Sequence, residues 1–552
     1  MTNILFVNIP SLPWDELKLY AQQKNSIYTP FVMPMSILYL SASIKAKFGN
    51  RQEVQILDYN AHTDKIKNYS DNPEKFFSGL ATQLIKFEPE IISITLNFAC
   101  AYKSFLLCAR ELRIKYPKSI IIVGGIQASN TVHHLIKNPD IDYIICGEGE
   151  IAFPDCIEAY ENGKTMYTIK GIYSKEKVPD KKPIITDMVE NLDTIPYPDW
   201  DILDMNKYLR AGRMQTTHDI NMKTATIITS RGCPFHCTFC SSHTIHGRKI
   251  RNRSVENVMG EIIELNRRYG IKMITFEDDL FTSDKKRTME ILSKIKQLNI
   301  EKLHIECPNV LSINTIDADI LDLMVDCGLV VTNFALESGS AFTQKYIIKK
   351  HVNLEKAHIL VNYLRQNHPK IYIRCMLLFG FPHETKELML ESLEFAKTLD
   401  LDWVAFAPAT PLPGSEMYTQ FIEMGVIQDT PEMWEKCHFG LGSRDFDTPE
   451  ISARDLNEFI YQANLEVNFK NNHNMITGKY SRAIEQFETI VKHYEYHIIA
   501  WFSLLYCYKK LQDIQGVERA ENQIKSLLES DERAIEMYQK YPQFIPHYDE
   551  VN

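Results

Sequence analysis

Cys233, Cys237 and Cys240 stand in the run Ser230-Arg-Gly-Cys233-Pro-Phe-His-Cys237-Thr-Phe239-Cys240, a C-x3-C-x2-C spacing. Three thiolates this close on one loop are soft ligands suited to iron–sulfur clusters or zinc. Four cysteines normally close an iron–sulfur cluster. A cluster held by three leaves one iron open to a small molecule. Zinc asks for four ligands in tetrahedral closure, and His236 or His243 would have to supply the fourth. The surrounding elements bear on that choice.

Ahead of the cysteines, apolar runs at 3–8, 54–57, 91–96, 119–123 and 143–146 alternate with helical stretches at 36–48, 73–87 and 101–116. The alternation predicts an α/β fold, a parallel, doubly wound sheet of the Rossmann-like (flavodoxin-like) kind, over residues 1–160. Such sheets bind ligands outside the carboxyl ends of their strands. Those ends carry Asn8-Ile-Pro10, Asp58, Asn97, Gly124-Gly125 and Gly147-Glu148. Residues 161–222 are a connector, and its stretch Leu192-Asp-Thr-Ile-Pro-Tyr-Pro-Asp-Trp200 is too proline-rich for a helix.

Over residues 223–420 six strand–helix units predict an open (β/α)6 partial TIM barrel, with polar clusters at the carboxyl ends of its strands. Asp278 and Asp279 follow one strand, Glu337 in Glu-Ser-Gly-Ser340 ends another, and Arg374 lies inside a third. Ser254 and Gly270 read as the cap and stop of the first helix after the cysteine loop. Residues 421–470 form a helical extension around Trp434. From Gly478 the pattern changes again: Ala483, Phe487, Ala500-Trp501, Leu504 and Tyr508 fall at helix-pair spacing to the end of the 471–552 segment.

The cysteine spacing, with Phe239 just before its last member, resembles the signature of the radical S-adenosylmethionine (SAM) enzymes. That resemblance implies a 4Fe-4S cluster on Cys233, Cys237 and Cys240, whose open iron binds SAM and whose electron cleaves it to a 5′-deoxyadenosyl radical. A strand ending in Gly-Gly and then Gly-Glu-Gly-Glu150, ahead of the cysteines, looks like the cobalamin-binding branch of that family. It implies cobalamin contacts at Asn97, Gly124, Gly125, Gly147 and Glu148, and SAM contacts at Phe239, Asp278, Glu337 and Arg374. Glycines let a backbone approach a bulky corrin; in a plain flavodoxin-like fold they would only make turns. Asp278 and Asp279 would otherwise cap strand ends, and Arg374 would otherwise be a core-edge ion pair. One departure concerns His62. The lower-ligand motif D-x-H-x-x-G is absent, since Asp58-Tyr-Asn-Ala-His62 puts the histidine two places late. His62 is therefore expected at the surface or in a loop, and not on cobalt. The tail resembles about one and a half tetratricopeptide repeats, fewer than a free solenoid needs. It reads as a cap on the barrel or as a docking arm.

A net charge of −10 offers no broad basic surface for nucleic acid. The twelve cysteines show no paired framework and read as reduced, cytoplasmic thiols. Ser26–Ile44 is uncharged, but Pro30 and Pro34 make it a loop and a buried helix starting near Pro34, with no membrane span. The expected partners are a small-molecule, peptide or carrier-bound substrate and an electron donor such as flavodoxin or ferredoxin.

The leading function is a cobalamin-dependent methyltransferase, in which a radical on an unactivated carbon accepts a methyl group from methylcobalamin. A cyclase or rearrangement enzyme of the same family would look alike in sequence. A non-catalytic tetratricopeptide scaffold is the third reading, and the intact cysteines weigh against it.

Overall fold

The computed structural model describes residues 2–22, 33–179, 183–210, 222–436 and 444–546. The chain divides into two compact units. The first comprises Met1–Arg213, Asn221–Asn309 and Thr410–Phe439; the second comprises Met214–Ile220, Val310–Ala409 and Gly440–Asn552. This division cuts across the segments expected from sequence. Three of the six repeated strands share a unit with the amino-terminal sheet, and three with the carboxyl-terminal helices.

In the first unit, β1 (Thr2–Asn8), β2 (Gln52–Asp58), β3 (Ile91–Thr95), β4 (Ile120–Gly124), β5 (Tyr143–Ile145) and β6 (Ile172–Tyr173) form one sheet in the order β2-β1-β3-β4-β5-β6. The first five are parallel. β6 lies antiparallel to β5, a strand too short for sequence periodicity to reveal. The near-continuous apolar runs of β1, β3 and β4 follow from burial on both faces. Ile4, Phe6, Ile91 and Ile122 pack with Ile37 and Phe153 from flanking helices. The 2-1-3-4-5 order is the flavodoxin-like one, with its switch point between β1 and β3.

The flanking helix Met35–Phe48 starts directly after Pro34, as expected, while residues 26–32 of the uncharged stretch lie outside the described residues. Among the described residues no helix is long and apolar enough to cross a membrane. The helix Pro73–Leu84 is capped by Asn72 with proline at its first position. It ends three residues before the expected 87, because Ile85 is already extended.

The same unit holds β7 (Thr224–Ile227), β8 (Ser230–Arg231), β9 (Arg251–Asn252), β10 (Met273–Phe276) and β11 (His304–Glu306). β11-β10-β7 is a parallel sheet, and β8 and β9 pair as a short antiparallel ribbon. The helix Val255–Tyr269 is capped by Ser254 and stopped by Gly270 in the left-handed conformation, as its sequence predicts. Trp434 is fully buried against Tyr102 and His134, with ring centroids 5.1 and 4.9 Å away. This gives the helical extension an anchor on the amino-terminal domain.

In the second unit, β12 (Val331–Glu337), β13 (Tyr372–Phe379) and β14 (Trp403–Pro408) form a parallel sheet in that order. Helices Tyr480–His493, Ile498–Leu511 and Ile514–Ser530 enclose Phe487, Ile499, Leu504 and Ala520. The first of them meets the amino-terminal ends of β13 and β14 through Arg482 and Gln486. Asp402 is the link: Arg482 donates to it at 2.5 and 2.7 Å and Asn474 at 2.9 Å. Asn468 hydrogen-bonds both Val404 N and Val404 O, at 2.9 and 2.7 Å. Polar contacts of this kind, with Asp402 itself fully buried, make the tail a cap on this sheet.

Candidate functional site

The cysteine loop leaves β8 and returns through β9, so the ribbon closes a loop of residues 232–250. Cys233, Cys237 and Cys240 are half-buried, and every other cysteine among the described residues is buried. Burial raises the thiol pKa of several of those others, Cys100, Cys146 and Cys156 each to about 12. Among the described residues the reachable thiols are thus the three in the motif. Among the described residues no three Cys, His, Asp or Glu side chains gather as a site for one metal ion. A cubane takes one thiolate per iron and needs no convergence on a single point. Three accessible thiols on one loop fit that group. Phe239 is half-buried beside Cys240, and His236 is exposed.

Two carboxylates at the end of β10 hold this loop. Asp278 is buried and accepts hydrogen bonds from Thr229 N at 3.1 Å, Thr229 Oγ1 at 2.7 Å and Ser230 Oγ at 2.5 Å. Burial raises its pKa, against the lowering effect of the Ser230 and Thr229 bonds. Asp279 accepts from Gly232 N at 3.1 Å and from Ser242 Oγ at 2.5 Å, one residue before the first cysteine and two after the last. The geometry is strand-end capping, which makes both aspartates supports of the cysteine loop.

At the strand ends of the first sheet, Asn97 is exposed, and Gly124 ends β4 with nothing within 4 Å of a notional Cβ. An exposed amide beside an uncrowded glycine fits the close approach of a large planar cofactor. Gly125 and Gly147 differ. Both have positive φ (110° and 107°). A Cβ would lie 2.4 Å from Leu96 O at Gly125, and 2.7 Å from Thr186 Oγ1 at Gly147. Their smallness serves the protein's own turns. Glu148 is buried among Arg251, His246 and Arg231. Burial alone would raise its pKa, but hydrogen bonds from Arg251 and His246 hold it well below the usual carboxylate range.

His62 corrects an expectation. It lies in the 3-10 segment after β2, but it is buried, with Lys207 Nζ at 3.2 Å from Nε2. Burial and the Lys207 charge lower its pKa to about 4. The loop assignment agrees with the fold and the surface assignment does not, because the connector helix Met205–Arg210 supplies Lys207. The same helix places Tyr208 on Asp58, whose pKa burial raises to about 6.

In the second unit, Glu337 ends β12 at a register shift, with φ of 57°. Left-handed backbone at a non-glycine residue costs about 1–3 kcal/mol and often marks a functional position. Its carboxylate is buried in an ion pair with Lys350, a partner that sequence alone did not suggest. Arg374 lies on β13 opposite Asn333 and Trp403, half-buried on the same face as Met376 and Leu378. Tyr39 and Tyr102 are both buried: Arg231 lies over the Tyr39 ring at 5.2 Å, and Tyr102 packs on Trp434.

Comparison with known proteins bears on this arrangement. Residues 227–396 match the Radical SAM superfamily, and residues 29–157 match the B12 binding domain. The chain is 30% identical over 397 residues to the uncharacterized methyltransferase PH0819 of Pyrococcus horikoshii, covering 71% of this chain and 79% of that protein. It is 26% identical over 438 residues to cytidylyl-2-hydroxyethylphosphonate methyltransferase of Streptomyces wedmorensis, covering 73% and 80%. The fold is similar to the radical S-adenosylmethionine methyltransferase TsrM from Kitasatospora setae, solved with cobalamin and a 4Fe-4S cluster bound. That match has a TM-score of 0.59 at 16% identity, over 78% of this chain and 80% of that one. With half-buried cysteines on the matched radical SAM segment, an uncrowded Gly124 at a strand end of the matched amino-terminal segment, and a relative spanned over most of its length, the chain belongs to the cobalamin-dependent radical SAM methyltransferase family, whose cofactors are a 4Fe-4S cluster, SAM and cobalamin.

Proposed function

We propose that this enzyme methylates an unactivated carbon of a small-molecule, peptide or carrier-bound substrate, drawing electrons from a flavodoxin- or ferredoxin-like donor. When bound, the cluster and SAM supply one electron and a 5′-deoxyadenosyl radical, and cobalamin supplies a carrier for the methyl group. The chain's own residues bind and orient. Cys233, Cys237 and Cys240 would hold three irons, with Phe239 beside the adenine of SAM. Asp278 and Asp279 hold the cysteine loop at both ends. Glu337, held by Lys350, and Arg374 would meet the polar groups of SAM. Asn97 and Gly124 would border the corrin. On this reading the parallel sheet β11-β10-β7 and the parallel sheet β12-β13-β14 supply the strands of the (β/α)6 partial barrel.

The observation that carries the reading is the pairing of three accessible thiols on one loop with an open flavodoxin-like strand edge in the same unit. Methylation is favoured over cyclisation because both relatives described above bear methyltransferase names. Product analysis tests it. Anaerobic turnover should yield S-adenosylhomocysteine together with 5′-deoxyadenosine; 5′-deoxyadenosine alone would favour the cyclase or rearrangement reading. Replacing Cys233, Cys237 and Cys240 together by alanine should abolish the cluster, and a retained cluster would sink the assignment.

A further inference from the structure

The Gly147-Glu-Gly-Glu150 segment follows β5, beside the strand ends assigned to cobalamin, yet its two carboxylates point to the cysteine loop. The Glu148 side chain is 1% exposed. Its Oε1 accepts from Arg251 Nη2 at 2.5 Å and lies 2.8 Å from His246 Nδ1. Its Oε2 accepts from Arg251 Nη1 at 2.9 Å and lies 3.4 Å from Arg231 Nη1. Glu150 accepts from Arg231 Nη2 at 2.5 Å. Arg231 and Arg251 are register partners in the β8–β9 ribbon, the base of the loop that carries all three cysteines. His246 lies inside that loop. One short segment therefore grips both strands of the base and a point within the loop.

Both guanidiniums are buried, Arg231 at 7% and Arg251 at 2% side-chain exposure. Moving either strand of the base would leave a buried charge unpaired, which is strongly unfavourable. We propose that Glu148 and Glu150 are positioning residues for the iron–sulfur cluster, acting through Arg231, Arg251 and His246 and making no contact with the corrin. The proposal rests on the cluster assignment made above. It moves the Gly-Glu-Gly-Glu signature from one cofactor site to the other. Groups that orient ligating side chains from behind commonly change metal affinity by about 10–100-fold.

The test uses full-length Glu148→Gln, which keeps the shape and removes the charge. Hydroxocobalamin titration should give the wild-type affinity. Iron loss to a chelator from the reconstituted protein should be about tenfold faster. The midpoint potential of the cluster should shift to a less negative value, because a negative charge behind the loop is gone. Weakened cobalamin binding, with iron retention and potential unchanged, would overturn the proposal. If Glu148→Gln fails to fold, Glu150→Gln removes only the Arg231 contact. It should show the same selective loss to a smaller degree, and an unchanged chelation rate and potential there would also overturn the proposal. The triple alanine variant separates this from the cluster assignment itself: a cluster surviving without Cys233, Cys237 and Cys240 would remove the assignment and not merely the supporting role of Glu148.

Discussion

Replacing Asp279 by alanine should open the cysteine loop while leaving the fold in place. Its carboxylate makes two contacts, with Gly232 N at 3.1 Å and Ser242 Oγ at 2.5 Å. Hydrogen bonds to a charged group contribute about 1.5–3 kcal/mol each. Asp279 is half-buried, so water competes and the lower end applies. The pair is then worth about 3 kcal/mol. A factor of ten in an equilibrium constant takes about 1.4 kcal/mol, so the open population of the loop should rise about a hundredfold. Amide hydrogen exchange on the full-length apoprotein reads this directly. Gly232 should lose most of its protection, whereas the helix Val255–Tyr269, which makes its own caps, should not. Asp279→Asn keeps an oxygen for Gly232 and should show a smaller effect. Unchanged exchange at Gly232 in the alanine variant would refute the idea that this carboxylate anchors the loop.

Glu337→Ala should lower SAM affinity by at least about tenfold with iron content intact, since one charged hydrogen bond is worth about 1.5–3 kcal/mol; equal affinity in isothermal titration would remove Glu337 from the site. Burial raises the Glu384 pKa to about 8, against the lowering effect of the Gly380 and Phe381 amides. The folded state therefore binds this proton more tightly than the unfolded chain, whose value is about 4.3. Its contribution is full below that value and is lost as pH rises through 8. Glu384→Gln should flatten the decline in denaturant stability from pH 5 to 9, and parallel slopes would contradict it. Asp402→Ala should destabilise the second unit by about 3–5 kcal/mol, because it leaves Arg482 without its buried partner and Arg365 with Asp400 alone. Wild-type thermal unfolding of that variant would show that the tail is not held there.

The cysteine motif was legible from the chain alone, because ligand type and spacing are local properties. So were the strands of the first sheet and the caps of Val255–Tyr269, since burial on both faces and capping chemistry leave periodic and positional marks. The sequence also determined the order of the segments that resemble the family: glycine-marked strand ends first, the cysteine loop after them. What it did not contain was the direction in which polar side chains point. Glu148 reads as a strand-end ligand contact until tertiary structure sets Arg231 and Arg251 beside it, from 83 and 103 positions further along the chain. Asp278 and Asp279 look like ligand groups until the return of the loop supplies Ser230, Gly232 and Ser242. The burial of His62 depends on Lys207 from the connector, and the tail becomes a cap chiefly through Asp402. In each case the deciding partner is remote in sequence and its contact is electrostatic, with no periodicity to announce it. A buried charge must be paired, but only the folded chain decides with which partner.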